Sequence, residues 1–188
     1  MIKAVIFDMD GTLSVPYINW TSLRQQIDCP VEKTIIEHIE SLPSGQAKRA
    51  HDILLSTERE ACEKADLNNG VHELLDHLHN KDLRLALVTN NHGDAMRVFL
   101  QRHNLQFDIA LSRDDGRLKP ASDLIEKALA FFDLNAHEAI GIGDGRYDIE
   151  ACQKIGVPCI YLTHGKPTLD HIPAVPTLLD VLPFLNTL

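Results

Sequence analysis

Ala4-Val5-Ile6-Phe7-Asp8-Met9-Asp10-Gly11-Thr12 is the stretch that decides how this chain folds. The apolar run from Ala4 to Phe7 is rich in β-branched and aromatic side chains and is closed by a glycine turn, so it predicts a buried strand. Strand side chains alternate in direction, and acids spaced i, i+2 aim the same way. Asp8 and Asp10 therefore converge at the strand's end, where their charges repel. A hard cation such as Mg²⁺, which prefers oxygen ligands, is the natural offset. One carboxylate can then attack as a nucleophile while the other moves protons.

Outward from that strand, helix and strand signals alternate. Val71, Leu74, Leu75 and Leu78 have the i, i+3, i+4, i+7 spacing of a helix face. Leu83 to Val88 predicts a strand, followed by the polar turn Thr89-Asn90-Asn91-His92-Gly93 and a helix from Asp94 to His103. A short strand is expected at Ile109 to Leu111 and a helix from Ser122 to Phe132. Then come a strand at Ala139 to Gly143, a helix at Asp148 to Ile155 and a strand at Val157 to Tyr161. Leu178, Leu179, Leu182 and Leu185 suggest a closing helix. This alternation predicts an α/β fold, a Rossmann-like parallel sheet flanked by helices.

One region breaks the rhythm. Between residue 15 and about residue 67 no convincing strand is found. Val31, Ile35, Ile39 and Leu42 are helically spaced, as are Ala47, Ala50, Leu54, Ala61 and Ala65. Pro16 opens the region and Asn68-Asn69-Gly70 closes it with turn signals. The expected organisation is an α/β core of residues 1–14 and 70–188 with a small helical insertion at 15–69. The insertion follows the first strand at its carboxyl end, where open α/β sheets bind ligands, so it is placed to act as a lid.

Composition bounds the partners. The chain has 188 residues, 44% of them hydrophobic, with 27 acidic and 18 basic residues and a net charge of −9. At this length folding buries roughly 70% of the chain's surface, enough for a core without staples. The negative balance argues against a nucleic-acid surface and against anionic membranes. It leaves a phosphate substrate open, because local donors and a metal decide that. Cys29, Cys62, Cys152 and Cys159 form no C-x-x-C pair or zinc-finger spacing and read as reduced thiols of a cytoplasmic protein. The first strand begins at once, leaving no room for a signal peptide, and no apolar run approaches the ~20 residues needed to span a bilayer.

Four segments follow predicted strands and so share one sheet edge: Asp8-x-Asp10-Gly11-Thr12, Thr89-Asn90, Lys119-Pro120 and Gly143-Asp144-Gly145-Arg146-Tyr147-Asp148. Each has a plain structural reading. Thr89-Asn90 and Asp144 can cap helices. Lys119 can be solvated while Pro120 begins a helix, and Asp148 can be a first-turn acid that complements the helix dipole. Tyr17, Trp20, Arg24 and Arg49 in the insertion read more readily as surface or packing than as substrate contacts. Arg113 and Arg117, near Lys119 in sequence, can aid anion binding but read more readily as a solvated loop. The conjunction of four segments in one order is what chance does not readily supply.

That conjunction resembles the haloacid dehalogenase superfamily of hydrolases, mostly magnesium-dependent phosphatases, over nearly the whole chain. The first motif is similar to that family's D-x-D-G-T and the last to its G-D-x-x-x-D. Gly70-Val71-x-Glu73-Leu74-Leu75 also looks like the family's segment there, and the insertion resembles the small cap of the phosphoglycolate-phosphatase-like branch. The resemblance implies that Asp8 attacks phosphorus and forms an aspartyl phosphate. Asp10 would protonate the leaving oxygen and then activate water. Thr89 and the backbone N–H of Asn90 would hold phosphoryl oxygens, and Lys119 would neutralise charge on nucleophile and phosphoryl group. The metal set implied for Mg²⁺ is Asp8, Asp10 (through its backbone carbonyl), Asp144 and Asp148, the last through a metal-bound water or as an additional ligand. The substrate expected is a small phosphate monoester.

Ser14 after Leu13, and Ala121-Ser122 after Lys119-Pro120, depart from common family usage. A phosphomutase of the same superfamily uses the same residues. A phospho-accepting, receiver-like signalling domain also clusters acids, a Thr and a Lys around Mg²⁺, but has adjacent acids and no such insertion. A non-catalytic binding protein would be expected to have lost one of these groups, and none is missing. Oligomeric state is not legible.

Overall fold

The structure is a computed structural model that describes residues 1–187. β1 (Ala4–Phe7) lies inside a parallel sheet with β2 (Arg84–Val88), β3 (Ile109–Leu111), β4 (Ala139–Gly143), β5 (Cys159–Leu162) and β6 (Ala174–Val175). The strand order is β3-β2-β1-β4-β5-β6. β1 pairs with β2 through Val5 opposite Leu85, and with β4 through Val5 opposite Ile140. The order reverses direction at the β1/β4 boundary, the topological switch point at which such sheets take ligands.

The alternation along β1 assigns its side chains to two separate cores. Val5 and Phe7 pack with Leu85, Leu87, Ile140 and Ile142 against Leu74 and Leu78 of α4 (Val71–Asn80) and Met96 and Phe99 of α5 (Gly93–Arg102). Ala4 and Ile6 face the other way, with Ala86 and Val88, against Leu124, Ile125 and Ala128 of α6 (Asp123–Phe132) and Ala151 and Cys152 of α7 (Arg146–Lys154). A strand buried on both faces reads as a continuous apolar run rather than an alternating one, which is how Ala4–Phe7 reads.

Three helices occupy the stretch between β1 and α4: α1 (Trp20–Gln26), α2 (Ile35–Ser41) and α3 (Ser44–Lys64). They share their own apolar cluster of Leu23, Ile27, Cys29, Ile39, Ala50 and Leu54. Where the chain leaves and re-enters the core, Ser14 bridges Leu67 in antiparallel fashion.

Some expectations need correction. Val31 does not join the helical face with Ile35 and Ile39; it is 82% exposed, and α2 starts only at Ile35, where Thr34 and Glu37 close a capping box. The helix expected at 148–155 starts two residues earlier, at Arg146. The strand expected at 157–161 runs from Cys159, because Gly156 turns at φ +75° just ahead of Val157 and Pro158. β6 has two residues and no periodicity to betray it. The closing helix begins as a 3₁₀ turn at Leu179–Val181 before α8 (Leu182–Thr187). All four cysteines are free and buried. No helix among the described residues is long and apolar enough to cross a membrane.

Candidate active site

The ends of β1, β2 and β4 and the loop after β3 bring their polar residues together at the carboxyl edge of the sheet. Lys119 is the pivot. It is 5% exposed, and its ammonium donates to Asp8 Oδ1 at 2.7 Å, Asp148 Oδ1 at 2.6 Å and the Val88 carbonyl at 2.8 Å. Three donors meet three acceptors, so a fully buried cation is fully satisfied. Burial works against that charge, but Asp148 and Asp8 together outweigh it and hold the ammonium above the ordinary lysine range. Lys119 is therefore not solvated. Pro120 does not begin a helix either, since α6 starts at Asp123.

Asp8, Asp144 and Asp148 each offer a carboxylate oxygen within 4.8 Å of the others. Two glycines make that approach possible. Gly11 sits at φ +82°, and a Cβ there would lie 2.0 Å from Asp144 Oδ2. A Cβ on Gly143 would lie 2.3 Å from the Cβ of Asp148. The glycines of both motifs are thus the spaces into which the acids fit. Asp148 is also a first-turn acid of α7, accepting the Gly145 N–H at 3.1 Å, so its plain structural role and its place in the cluster coexist. Asp144 caps nothing: the N-cap of α7 is Gly145.

Burial is the largest influence on the acids. It pushes Asp8 up to about 6, with Asp148 adding to the rise and Lys119 opposing it. It pushes Asp144 up to about 8, with Asp8 and Asp148 adding repulsion. These carboxylates fit a divalent cation: hard oxygen donors, crowded and desolvated, of which only Asp8 and Asp148 share a lysine. The Asp10 side chain is not part of this trio. It turns to Asn91, whose Nδ2 donates to Asp10 Oδ2 at 2.8 Å. Burial, then Asp8 and Glu58, push Asp10 up to about 7.

Thr89 is fully buried and accepts the Asn91 N–H on Oγ1 at 3.0 Å, which leaves its own hydroxyl hydrogen to donate elsewhere. Asn90 does not cap α5 either, since His92 is the N-cap. Its side chain instead grips the backbone of Lys119, accepting from the Lys119 N–H and donating to the Lys119 carbonyl, both at 2.8 Å.

Several residues at the site carry no sequence signal for the contacts they make. Asn68 Nδ2 reaches the carbonyls of Gly11, Thr12 and Ser14 at 3.1, 2.8 and 2.9 Å, clamping the turn after β1 from the far end of the insertion. The His164 ring contacts the Gly11 carbonyl from the loop after β5, Nε2 to oxygen 2.7 Å. Arg113, expected in a solvated loop, is instead buried against Glu58 of α3. Arg117, four residues on, is 81% exposed and pairs with Asp123. Of the insertion residues, Tyr17 and Arg49 line a groove of about 720 Å³ between α1 and α3, whose walls contain no residue of the sheet or its flanking helices. Arg24 spends its guanidinium on the Pro30 and Lys33 carbonyls, and Trp20 is 45% exposed.

Known proteins resemble this chain over most of its length. Residues 16–162 match the family profile described as haloacid dehalogenase-like hydrolase. A haloacid dehalogenase-like hydrolase domain-containing protein of Arabidopsis thaliana is 30% identical over 164 residues, covering 81% of this chain and 67% of its own. A phosphoglycolate phosphatase of Aliivibrio fischeri is 31% identical over 207 residues, covering 93% and 91%. Among solved structures, a hydrolase from Pseudomonas syringae superposes with a TM-score of 0.79 at 21% identity, covering 98% of each chain, a likeness of fold. With the profile spanning most of the chain and the acids and lysine meeting at the switch point, this protein belongs to the haloacid dehalogenase-like hydrolases and is an enzyme of that family.

Proposed function

We propose that this hydrolase is a Mg²⁺-dependent phosphatase of small phosphate monoesters, working through an aspartyl phosphate on Asp8 in a reducing, cytoplasmic setting. The observation that carries the reading is the buried Lys119 ammonium held between Asp8 and Asp148. A carboxylate meant to attack a phosphate dianion needs a fixed positive charge beside it, and phosphoryl transfer depends on positioning and charge neutralisation above all.

Asp8 supplies the attacking oxygen. Asp10, held by Asn91 and raised to about 7, has the proton affinity of a group that gives a proton to the leaving oxygen and then takes one from water near neutrality. Thr89 directs its free hydroxyl hydrogen, and Asn90 its backbone N–H, toward phosphoryl oxygens. Asn90's side chain keeps Lys119 in place. Asp8, Asp144 and Asp148, with the Asp10 carbonyl, would hold Mg²⁺, which when bound neutralises phosphoryl charge that these carboxylates would otherwise repel. The 15–69 insertion acts as a cap over this edge.

The test is phosphate release from p-nitrophenyl phosphate with Mg²⁺, comparing the wild type with Asp8→Asn. The expected result is turnover by the wild type and a loss of at least about 10³-fold in the variant with an unchanged circular dichroism spectrum. A variant working at the wild-type rate removes Asp8 as nucleophile. A phosphorylated wild type that persists for many minutes favours a receiver-like switch.

A further inference from the structure

Beside the acids, the insertion contributes a second charged assembly. Glu58 on α3 and Arg113 from the loop after β3 form an ion pair with side chains only 4% and 9% exposed. Arg113 Nη1 also reaches the Asn90 carbonyl at 3.3 Å, and the Arg113 N–H donates to the Asn91 carbonyl at 3.1 Å. The pair is thus anchored to the turn that presents Asn91 to Asp10. Asn91 Nδ2 in turn touches Sγ of Cys62, one helical turn beyond Glu58, at 3.9 Å. Asp10, Asn91, Cys62, Glu58 and Arg113 form one wall. Its closeness to Asp10 is felt electrostatically: Glu58 helps to raise Asp10, and after burial Asp10 and Glu58 both help to push the Cys62 thiol up to about 12. Burial raises the Glu58 carboxyl as well, and Arg113, then the His92 backbone and ring, pull it back toward the charged form.

Among the described residues, three buried side-chain polar atoms have no hydrogen-bond partner: Glu58 Oε2, Arg113 Nη2 and Asn91 Oδ1. All three belong to this wall. Buried polar groups are nearly always paired, and an unpaired one calls for a reason. Their chemistry is that of a site: two acceptors and one donor, next to the acid that serves the leaving oxygen. An uncharged group bearing hydroxyls matches it, with O–H donated to Glu58 and Asn91 and an oxygen accepting from Arg113. A carboxylate does not match, because it meets the Glu58 charge and finds Arg113 already neutralised.

We propose that Glu58 and Arg113 set the leaving-group specificity of this enzyme, admitting uncharged, hydroxyl-bearing leaving groups and turning away carboxylated ones such as glycolate. The proposal rests on the phosphatase reading above. It separates this chain from its relatives named as phosphoglycolate phosphatases. Specificity of this kind comes from a repulsive element as much as from an attractive one.

The test compares kcat/KM for glycerol phosphate, phosphoglycolate and p-nitrophenyl phosphate in the wild type, Glu58→Gln and the double variant Glu58→Gln/Arg113→Gln. The wild type is expected to favour glycerol phosphate over phosphoglycolate by about tenfold or more. Glu58→Gln frees the Arg113 guanidinium, so KM for phosphoglycolate falls and the preference reverses. The double variant leaves no buried unpaired charge, which guards against a folding defect in the single one. Its preference between glycerol phosphate and phosphoglycolate collapses to within about threefold.

A wild type that prefers phosphoglycolate, or a preference identical in all three proteins, overturns the proposal while aryl phosphate hydrolysis keeps the phosphatase reading alive. A wild type that hydrolyses none of the three esters overturns both.

Discussion

The acid floor of this site and the wall beside it both pair carboxylates with a buried cation, but by opposite means. On the floor, Asp8, Asp144, Asp148 and Lys119 are delivered by strand ends and the loop after β3, with glycines opening the space. Every N–H of the Lys119 ammonium is answered. In the wall, Glu58 comes from a helix of the insertion and Arg113 from a loop 55 residues away, and each keeps an unanswered atom. A closed network holds its geometry before substrate arrives. An open one awaits a partner, and a partner can be selected.

The comparison breaks hardest at Lys119. Lys119→Met leaves Asp8 and Asp148 buried without their cation. A fall in kcat of about 10³-fold is expected, with a loss of about 3 kcal/mol in urea unfolding at pH 8. Unaltered stability with unaltered turnover would mean that the floor does not depend on its lysine.

Gly11→Ala is next. The new methyl falls 2.0 Å from Asp144 Oδ2 in a backbone conformation at φ +82°, which costs about 1–3 kcal/mol and displaces the acid. Activity should fall about a hundredfold and Mg²⁺ should no longer raise the melting temperature. A variant with normal Mg²⁺ response would show that Asp144 tolerates displacement.

pH offers a gentler probe. Asp8, Asp10 and Asp144 stand at about 6, 7 and 8 against an ordinary value of 3.8. Folded-state values raised this way mean that the native state holds more protons than the unfolded chain between pH 4 and 8. Their contribution to stability is present below 3.8 and is lost as pH rises through 6 to 8. Without metal, the melting temperature should drop by about 5 °C or more from pH 5 to pH 8. Millimolar Mg²⁺ should flatten that slope by binding the ionised form. A metal-free protein more stable at pH 8 than at pH 5 contradicts the burial that raises these acids.

The smallest effect sharpens the contrast within one loop. Arg117→Ala removes an exposed cation four residues from Arg113, paired with Asp123, and should change neither melting temperature nor relative kcat/KM for neutral and carboxylated esters. A change in that ratio would extend the wall beyond Arg113.

The floor was legible in the sequence because its causes are local. A strand buried on both faces, an acid at its end and a glycine beside it fall within nine residues, and the same device recurs at Gly143-Asp144. The wall was not legible because its causes are tertiary. Nothing near Glu58 in α3 marks it from the exposed acids of the same helix, and nothing near Arg113 distinguishes it from Arg117. Asn68 reads as a turn residue, and only the fold shows it clamping three carbonyls after β1. Val31 failed for a related reason: helical spacing extends past a boundary that the Thr34 and Glu37 capping box sets.

The central claim is that Asp8 takes the phosphoryl group. Rapid quenching of the wild type during turnover of a phosphate ester, followed by peptide mass analysis, tests it directly. One added phosphoryl group is expected on the peptide carrying Asp8, surviving a brief cold acid quench, cleaved by hydroxylamine and absent in Asp8→Asn. Steady hydrolysis with the phosphoryl group on another residue, or on none at any quench time, contradicts it.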